Sequence, residues 1–472
     1  MADSVRIERD SMGEVEVPAA AYYGASTSRA AHNFPISNLR FPRQFIRALG
    51  QIKQAAATVN LELGLLEPEL AGAIVAAARE VTEGKLDAEF VVDVFQTGSG
   101  TSTNTNANEV IANRASELLG GPIGPGRLVH PNDDVNRGQS SNDVIPTAIH
   151  LAAATAIDQE LMPALQTLES LLGAKSREFM PIIKTGRTHL QDATPIRLGQ
   201  EFAGYAGQIM ESRRRSQLAL DELSTVALGG TAVGTGINTH PLFAGRVCAL
   251  LADWTKVPVH ETDNHFHAQA TLDALVAAHG HLRTIAVSLW KIAADIRLMG
   301  TGPRAGLGEV TLPDTQPGSS IMPGKVNPVI IESLTMAIAR VLGNDCSVTL
   351  CGQSGSFFEL NVMMPLAGYC TLESISLLAN SSQNFADRCI AGLAATSAGP
   401  DGVERGLMLV TALAPVLGYD EAAKLAKEAA ASGQTIRDLA RQRGLPEAQI
   451  NELLDPSRMT NPGDSEGSKH SG

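Results

Sequence analysis

The sequence predicts a mainly α-helical fold in which five long helices pack as a bundle. Aromatic residues make up only 4% of the chain, whereas alanine, leucine and glycine are plentiful, which favours helices that pack closely through small side chains. Apolar residues recur at three- and four-residue spacing, as in an amphipathic helix, in five long segments. These segments are 144–177, 197–225, 268–300, 328–349 and 358–394. Several reach about 30 residues, or roughly 45 Å at 1.5 Å per residue.

The predicted bundle is expected to associate with copies of itself. Segment 268–300 is apolar over much of its circumference, and a helix with that pattern is buried. A single chain has too few neighbouring helices to cover five helices of this length. We therefore expect the remaining apolar surface to be buried between subunits.

Before the bundle, the chain is expected to form loops and then two helices. Residues 1 to about 45 are mixed and rich in loops, and helical periodicity begins near Phe41 and continues through 45–64 and 67–84. Thr97 to Asn106 contain no hydrophobic side chain, although apolar segments flank them. Such a polar loop held against a core often binds a ligand, but the same residues also fit a helix-capping cluster on a surface turn.

A domain division follows from the breakers and from changes in composition. At 472 residues the chain is long enough for two or three domains, or for one very elongated domain. We predict an N-terminal domain over 1–139, the helical bundle over 140–396 and a small helical domain over 397–460. Residues 461–472 are polar and are predicted to form a disordered tail.

Charge and cysteine content restrict the class of partner and the compartment. The net charge of −13 argues against a nucleic acid or a membrane surface as partner, although a few local cations can still bind an anionic substrate. The five cysteines are scattered and show no CxxC spacing, as expected of reduced thiols. The N-terminus has no apolar leader segment and no run of 18 apolar residues occurs, so we expect a soluble, cytoplasmic protein.

The stretch Gly318 to Glu332, GSSIMPGKVNPVIIE, is the strongest candidate for a functional site. Its small residues predict a mobile loop, and Asn327-Pro328 fits an N-cap followed by the first residue of a helix. Glu332 is then predicted to lie one turn into that helix and to be buried, beside N–H groups that suit an anion. A plain linker has the same composition and is the alternative interpretation.

His189 is a second candidate, in the sequence KTGRTHLQDATP. Its neighbours Arg187 and Thr188 and the nearby Pro195 predict an irregular segment and a broken turn beside a helix start. A lone histidine in such a place is more often structural than catalytic.

Other polar groups are weaker candidates. The segment HPNDD places His130, Asp133 and Asp134 too close together for a good metal-chelating set. We interpret His265 and His267 as ordinary histidines at a helix start. The glycines of TGSGTSTN only superficially match a dinucleotide fingerprint, because no strand of a βαβ unit precedes them.

The motif GSSIMPGKVNP resembles the signature of the aspartase/fumarase superfamily. With glycine at position 324 it is similar to the form of the motif in class II fumarases, whereas aspartases usually carry alanine at that position. GRTHLQDATP is similar to the fumarase form of a second motif, in which aspartases usually have glutamine at the position of His189. HPNDDVN, QSSND and LGGTAVGTGIN also resemble the fumarase pattern, so the matches run from about residue 10 to 460.

The resemblance implies a three-domain fold whose central five-helix bundles associate into a 20-helix tetramer core, with each active site drawing on three chains. It implies a cofactor-free and metal-free fumarate hydratase of the tricarboxylic acid cycle, which reversibly converts fumarate and water to L-malate. Ser319 is then the general base for the C3 proton, with its alkoxide stabilised by Lys325 and nearby N–H groups. His189, paired with Glu332, handles proton transfer at the departing hydroxyl group.

The resemblance also assigns binding residues for a small dicarboxylate, whose extra charge in the aci-carboxylate intermediate requires aimed donors. The substrate-binding set is Ser99, Gly100, Thr101, Ser140, Ser141, Asn142, Thr188, Ser320, Lys325, Val326 and Asn327. A second anion site is matched by Arg127, His130, Pro131, Asn132 and Asp133.

The amino-acid sequence leaves four alternatives to this activity open. Aspartate ammonia-lyase is the nearest, with His189 and Gly324 against it. Argininosuccinate and adenylosuccinate lyases share the loop signature but act on bulkier substrates. A catalytically silent relative, like the lens crystallin of this superfamily, would be expected to lose a catalytic group, and Ser319, His189, Lys325 and Glu332 are all present.

Overall fold

The structure is a computed structural model that describes residues 4–463. These residues are mainly helical. The α-helices are, in chain order, α1 Ala25–Asn33, α2 Arg43–Glu62, α3 Pro68–Thr82, α4 Thr101–Leu118, α5 Ser141–Ala156, α6 Met162–Phe179, α7 Leu198–Leu223, α8 Phe243–Thr255, α9 His265–Ala270, α10 Asp273–Met299, α11 Val329–Gly355, α12 Met364–Phe385, α13 Ala398–Val403, α14 Ala414–Leu417, α15 Tyr419–Ser432, α16 Ile436–Gln442 and α17 Glu447–Leu453.

The strands of the described residues form small two-stranded sheets. They are β1 Val5–Asp10, β2 Gly13–Pro18, β3 Ile183–Thr188, β4 Gln191–Arg197, β5 Thr225–Val226, β6 His260–Glu261, β7 Val310–Thr311, β8 Ser356–Phe357, β9 Leu360–Asn361 and β10 Ala394–Ala395. The pairs β1–β2, β3–β4, β7–β10 and β8–β9 are antiparallel, whereas β5–β6 is parallel.

The chain divides into two compact units whose boundaries fall within helices. Unit 1 contains the residues up to Ala164, Ser212–Val287 and Ala337–Asn380. Unit 2 contains Leu165–Glu211, Ser288–Met336 and the residues from Ser381 onward.

Unit 1 has an interior of tightly packed helices. α2 packs against α3, α5 and α8. At Gly50 in α2 a Cβ atom would lie 2.8 Å from the backbone nitrogen of Thr82, so glycine permits the close approach of α2 and α3. α5 is buried along most of its length and opens with a capping box formed by Ser140 and Asp143.

Unit 2 contains a β-hairpin and a cluster of short helices. β3 pairs with β4, and α13 packs against β3. Leu413, Leu425 and Leu439 are fully buried in an apolar cluster that joins the C-terminal helices. The left-handed Gly433, with φ of +72°, ends α15 and lets the chain turn into α16. The predicted helical character of 397–460 is therefore confirmed.

The long helices of the predicted bundle are confirmed, with shifted ends. Segment 144–177 is α5 and α6, joined by the π-helical turn Ile157–Leu161, and 197–225 is α7. Segment 268–300 begins with α9 and becomes continuous only at Asp273 in α10. α11 extends beyond the predicted end, to Gly355, and α12 starts only at Met364 because β8 and β9 occupy the residues before it.

The prediction of a loop-rich N-terminus was wrong, because β1 and β2 form a hairpin there. The usual alternation is inverted in β1: Glu8 is buried, whereas Val5 and Ile7 are about half exposed. Glu8 is stabilised by ion pairs with Arg6, at 2.7 Å, and Arg127, at 3.1 Å. Because Arg127 lies 119 residues away in the sequence, the local pattern does not reveal that this charge is buried.

The predicted disordered tail falls largely on 464–472, which lie outside the described residues. No helix between residues 4 and 463 combines the length and apolar character needed to cross a membrane.

Candidate active site

In unit 1, three hydroxyl groups of the predicted substrate-binding set form a connected row. Ser99 Oγ lies 2.7 Å from Thr101 Oγ1, which lies 2.7 Å from Ser141 Oγ. Gly100 has φ of +72°, and a Cβ atom there would lie 2.8 Å from Ile145, so glycine both makes the turn and admits the helix behind it. Ser99, at one end of the row, is buried, whereas Thr101, in its middle, is exposed and open to a ligand.

The predicted polar loop over Thr97 to Asn106 is not continuous, because α4 begins at Thr101. Polar residues in its first two turns, including Ser102, Asn104 and Asn106, are buried. Asn104 Nδ2 donates to Asn136 Oδ1 at 3.2 Å and Asn106 Nδ2 donates to Glu89 O at 2.9 Å. The buried face at the start of α4 is therefore polar, and its side chains are satisfied by partners elsewhere in the chain. Because it lacks apolar residues at helical spacing, the sequence does not predict a helix there.

Asp143 connects the Ser140–Asn142 cluster to the glycine-rich loop that follows β5. Its Oδ1 accepts from Ser140 N at 2.9 Å, and its Oδ2 accepts from Gly229 N and Thr231 N, both at 3.0 Å. Asn142 Nδ2 donates to the carbonyl oxygen of Ala232 at 2.7 Å. Burial raises the pKa of Asp143, and the three backbone N–H groups act in the opposite direction.

Behind the same cluster lies Lys53 of α2, which is fully buried. Its Nζ donates to Asn136 Oδ1 and to Gln139 Oε1, both at 2.9 Å. Burial lowers its pKa to about 7, and the charge of Asp143 opposes that change. Sequence reasoning missed Lys53, although it and Asn60 occupy helical positions in line with the buried Ile46, Leu49 and Ala56.

In unit 2, His189 lies at the tip of the β3–β4 hairpin and not on the predicted irregular segment. Thr188 pairs with Gln191, so His189 and Leu190 are the two central residues of the turn. Both have positive φ, +55° and +60°, which are the signs of a type I′ turn. Thr188, His189 and Leu190 are exposed. The sequence does not predict this hairpin, because no Asn-Gly or Asp-Gly pair marks the turn between β3 and β4.

Buried ion pairs fix the base of this hairpin. Glu309 is 4% exposed and contacts Lys184 Nζ at 2.6 Å and Arg187 Nη1 at 2.7 Å. Lys184 also lies 3.0 Å from Glu201, and burial raises the pKa of that carboxyl group. Since Arg187 is two residues before His189, this network restricts the position of the turn.

The predicted serine loop in unit 2 is closed at its base. Gly318 N donates to Lys325 O at 3.0 Å, and Asn327 Nδ2 donates to the carbonyl oxygen of Gly318. Within the loop, Ser319 Oγ accepts from Met322 N at 3.0 Å and from Ile321 N at 3.3 Å. Two aimed N–H donors favour the ionised form of the serine hydroxyl group.

Two details of this loop differ from the prediction. Asn327 does not cap the helix, because its side chain is used to close the loop, and α11 begins one residue later than expected, at Val329. Glu332 lies one turn into α11 as predicted, but its side chain is 44% exposed and only loosely paired with Arg297, at 3.9 Å. Ser320, Lys325 and Val326 are exposed.

The predicted pairing of His189 with Glu332 is not formed within one chain. Among the described residues, His189 makes no side-chain hydrogen bond or ion pair. Arg127, His130 and Asp133 of the second predicted anion site have side-chain or backbone partners in unit 1. Arg127 is paired with buried Glu8, and His130 Nδ1 accepts from Asp133 N at 3.1 Å at the start of the π-helical turn Pro131–Val135.

A polar cavity of about 300 Å³ lies beside the loop after β5 in unit 1. Its lining includes Thr239, His240, Glu261 and His265, and none of the predicted substrate-binding residues. His265 Nε2 contacts Leu228 O at 3.1 Å, in agreement with an ordinary histidine at a helix start. Within residues 4–463 no group of three or more His, Cys, Asp or Glu side chains is arranged to hold a metal ion.

Comparison with known families matches almost the whole chain. A lyase family matches residues 13–343, and the family described as the C-terminus of fumarase C matches residues 409–461. The class II fumarate hydratase 2 of Bradyrhizobium diazoefficiens is 51% identical over 462 residues, 98% of each chain. The class II fumarate hydratase of Ralstonia nicotianae is 52% identical over 458 residues, 97% of this chain and 99% of that one.

Solved structures agree with these sequence matches. A class II fumarase of Schistosoma mansoni has a TM-score of 0.94 and 39% identity, and covers 98% of this chain and 100% of its own. A fumarate lyase:delta crystallin of Brucella melitensis, bound to cobalt, has a TM-score of 0.93 and 46% identity, over 97% of this chain and 100% of its own. On the agreement of sequence, fold and motifs, the chain belongs to the class II fumarate hydratase family of lyases.

Proposed function

We propose that this chain is a fumarate hydratase, a hydro-lyase that interconverts fumarate and L-malate, with Ser319 and His189 as its proton-transfer groups. The observation that carries the assignment of Ser319 is the pair of backbone N–H groups of Ile321 and Met322 directed at its Oγ. An unassisted serine hydroxyl group is a poor base, and such donors favour the alkoxide that the reaction needs.

In the direction from malate, the Ser319 alkoxide takes the proton from C3 and the electron pair moves into the adjacent carboxylate. The resulting aci-carboxylate then expels the hydroxyl group from C2, and protonated His189 supplies the proton that makes it leave as water. In the direction from fumarate, neutral His189 takes the proton of the attacking water and the serine hydroxyl group returns a proton to C3. Atoms and charge balance in both directions without a redox partner.

Binding of the two substrate carboxylates is assigned to hydroxyl, amide and ammonium donors. These donors are the row Ser99, Thr101 and Ser141, with Asn142, and the side chains of Thr188, Ser320, Lys325 and Asn327. Removing one donor that acts on the developing charge typically costs about 3–4 kcal/mol of barrier. Loss of Thr101 or Asn142 is therefore expected to lower kcat/KM strongly.

The active site is proposed to form between subunits of a homotetramer. His189 has no partner in its own chain among the described residues, and Glu332 is nearly half exposed, so both are available to other chains. A carboxylate beside the imidazole from another subunit would fix its tautomer and raise its basicity.

The activity is tested by following the ultraviolet absorbance of the fumarate double bond with metal-stripped enzyme. L-malate should generate fumarate, whereas L-aspartate should not, and the addition of a chelator should leave the rate unchanged. Release of fumarate from aspartate at a comparable rate would favour the ammonia-lyase. Loss of activity on chelation would contradict the proposed metal-free chemistry.

Subunit sharing is tested by mixing two inactive enzymes, Ser319→Ala and His189→Asn, by joint unfolding and refolding. If the serine and the histidine of one site come from different chains, about a quarter of the sites in a random 1:1 mixture contain both groups and regain activity. If they come from the same chain, no site regains both and the mixture stays inactive. Each variant refolded alone is the control.

Two further assignments also remain proposals. The three domains 1–139, 140–396 and 397–460 are based on breakers in the sequence, whereas the compact units divide the chain differently.

A cytoplasmic location is supported by the five free cysteines, of which only Cys346 is exposed.

A further inference from the structure

We propose that Lys53 and Asp143 are positioning residues that hold the Ser140–Asn142 cluster in the geometry that binds a substrate carboxylate. This inference rests on the proposed function, because it assumes that Ser140, Ser141 and Asn142 contact the dicarboxylate. Neither Lys53 nor Asp143 is exposed, so neither contacts the substrate directly.

Lys53 holds the chain immediately before the cluster. Its ammonium group binds the side-chain oxygens of Asn136 and Gln139, the latter being the residue before Ser140. Asn136 is tied back to the same segment, because its Nδ2 donates to Gln139 O at 3.1 Å. One buried cation therefore sets the path by which the chain enters α5.

Asp143 holds the cluster from the other side. One carboxylate oxygen accepts from Ser140 N, and the other binds the backbone of Gly229 and Thr231. The same loop accepts the hydrogen bond from Asn142 at Ala232 O. Asp143 thus joins two segments that are more than 80 residues apart, and fixes the Asn142 side chain relative to Ser141.

The energetics favour a role in binding over a role in stability. Burial of an ammonium group without a directly bonded carboxylate is unfavourable, and it lowers the pKa of Lys53. An apolar residue of similar length would avoid that penalty. We infer instead that the ammonium group of Lys53 serves to orient the side-chain oxygens of Asn136 and Gln139 beside the start of α5.

The decisive variant is Lys53→Met, which keeps the length of the side chain and removes its charge and donors. We expect the KM for fumarate to rise about tenfold while kcat changes less than about threefold, because the lost contribution is to substrate binding. The tetramer should be retained, and the melting temperature should not fall. Asp143→Asn should also raise KM, since its amide group places a donor against backbone N–H donors.

Lys256→Met is the matched control, because Lys256 is an exposed lysine of unit 1 whose side chain is 74% exposed. It should leave both kinetic constants unchanged. A tetrameric Lys53→Met enzyme with the parental KM would overturn the inference, as would a loss confined to kcat. If Lys53→Met does not assemble, Gln139→Met decides the question: a KM at least about threefold higher supports the inference, and an unchanged KM overturns it.

The parent enzyme in the same assay separates the two proposals. A parent that does not hydrate fumarate contradicts the proposed function. A parent that hydrates fumarate, beside a Lys53→Met variant with normal KM, contradicts only the positioning roles.

Discussion

His189 and Leu190 adopt a left-handed backbone conformation that is uncommon for residues other than glycine and is best tolerated by asparagine and aspartate. Two successive residues with φ of +55° and +60° form the turn between β3 and β4. Strain of this kind costs about 1–3 kcal/mol per residue and persists where the surrounding structure imposes it. The buried contacts of Arg187 and Lys184 with Glu309 supply that restraint.

We therefore expect His189→Asn to stabilise the protein while abolishing activity. Asparagine tolerates the left-handed region, so the melting temperature should rise slightly, whereas loss of the proton-transfer group should lower kcat by about 10²–10⁴-fold. Leu190→Asn is the matched control, since it relieves the neighbouring strain and keeps the imidazole. Calorimetry and steady-state kinetics check both variants. A destabilised but active His189→Asn enzyme would contradict this assignment.

Lys53 predicts a pH dependence of stability. Its pKa falls on folding from 10.5 to about 7, so between these values the unfolded chain binds more protons than the folded one. Stability contributed by this group therefore rises with pH across that window, and a protonated Lys53 is most costly at pH 7 and below.

It follows that the advantage in stability of Lys53→Met over the parent should be largest near pH 7. It should shrink by up to about 1.4 kcal/mol per pH unit as the pH approaches 9. Thermal unfolding of both proteins from pH 6 to 9 measures this difference, and other titrating groups cancel in the comparison. A difference that is independent of pH would show that Lys53 does not titrate in this range.

At the scale of elements, the loop 318–327 combines a closed base with an open tip. Gly318 lies against the opposite strand of the loop, and a Cβ atom there would be 2.3 Å from the carbonyl oxygen of Lys325. Gly324 at the tip has φ of +79° and no atom within 4 Å of such a Cβ. Glycine is thus required at the two positions for different reasons, close approach at one and backbone conformation at the other.

Gly318→Ala is accordingly expected to lower kcat/KM by at least about 100-fold, because the base must open and Ser319 loses its N–H donors. Gly324→Ala places its methyl group in open space and should cost only about 1 kcal/mol of loop stability, with a much smaller loss of activity. Kinetics of the two variants, with sedimentation to confirm equal assembly, make the comparison. Equal losses would show that the closed base is unimportant.

At the scale of the whole molecule, the chain exposes large apolar side chains along its long helices. Val287 and Trp290 of α10 are 53% and 51% exposed, and Met336 and Leu350 of α11 are 68% and 49% exposed. A single chain therefore leaves part of the apolar surface of segment 268–300 uncovered, as the length and apolar pattern of the segment predict. Repeated exposure of this kind marks an interaction surface and supports the proposed tetramer.

Met336→Lys should dissociate the tetramer and abolish activity, because a charge would be placed in an apolar contact between subunits. Met12→Lys is the matched control: Met12 is 80% exposed but lies in the turn between β1 and β2. Sedimentation should give four times the chain mass of 49.6 kDa for the parent and for Met12→Lys, and less for Met336→Lys. An intact Met336→Lys tetramer would exclude this face of α11 from the interface.

The long helices, the motifs and the family can be predicted from the amino-acid sequence, because they depend on short-range spacing. Apolar residues three and four positions apart predicted α5 to α7 and α10 to α12, and the run from Gly318 to Glu332 predicted the serine loop before α11. A contiguous motif needs no knowledge of the fold to be recognised.

Tertiary structure alone decided where charged and polar side chains are buried and which of them meet. Glu8 in β1, Lys53 in α2 and the polar start of α4 all lie inside, because partners from distant segments satisfy them. The same applies to the left-handed turn at His189, which is imposed by contacts of Arg187 and Lys184 with Glu309. Local pattern carries no information about such partners, since the free energy that buries a charge comes from groups far away in the chain.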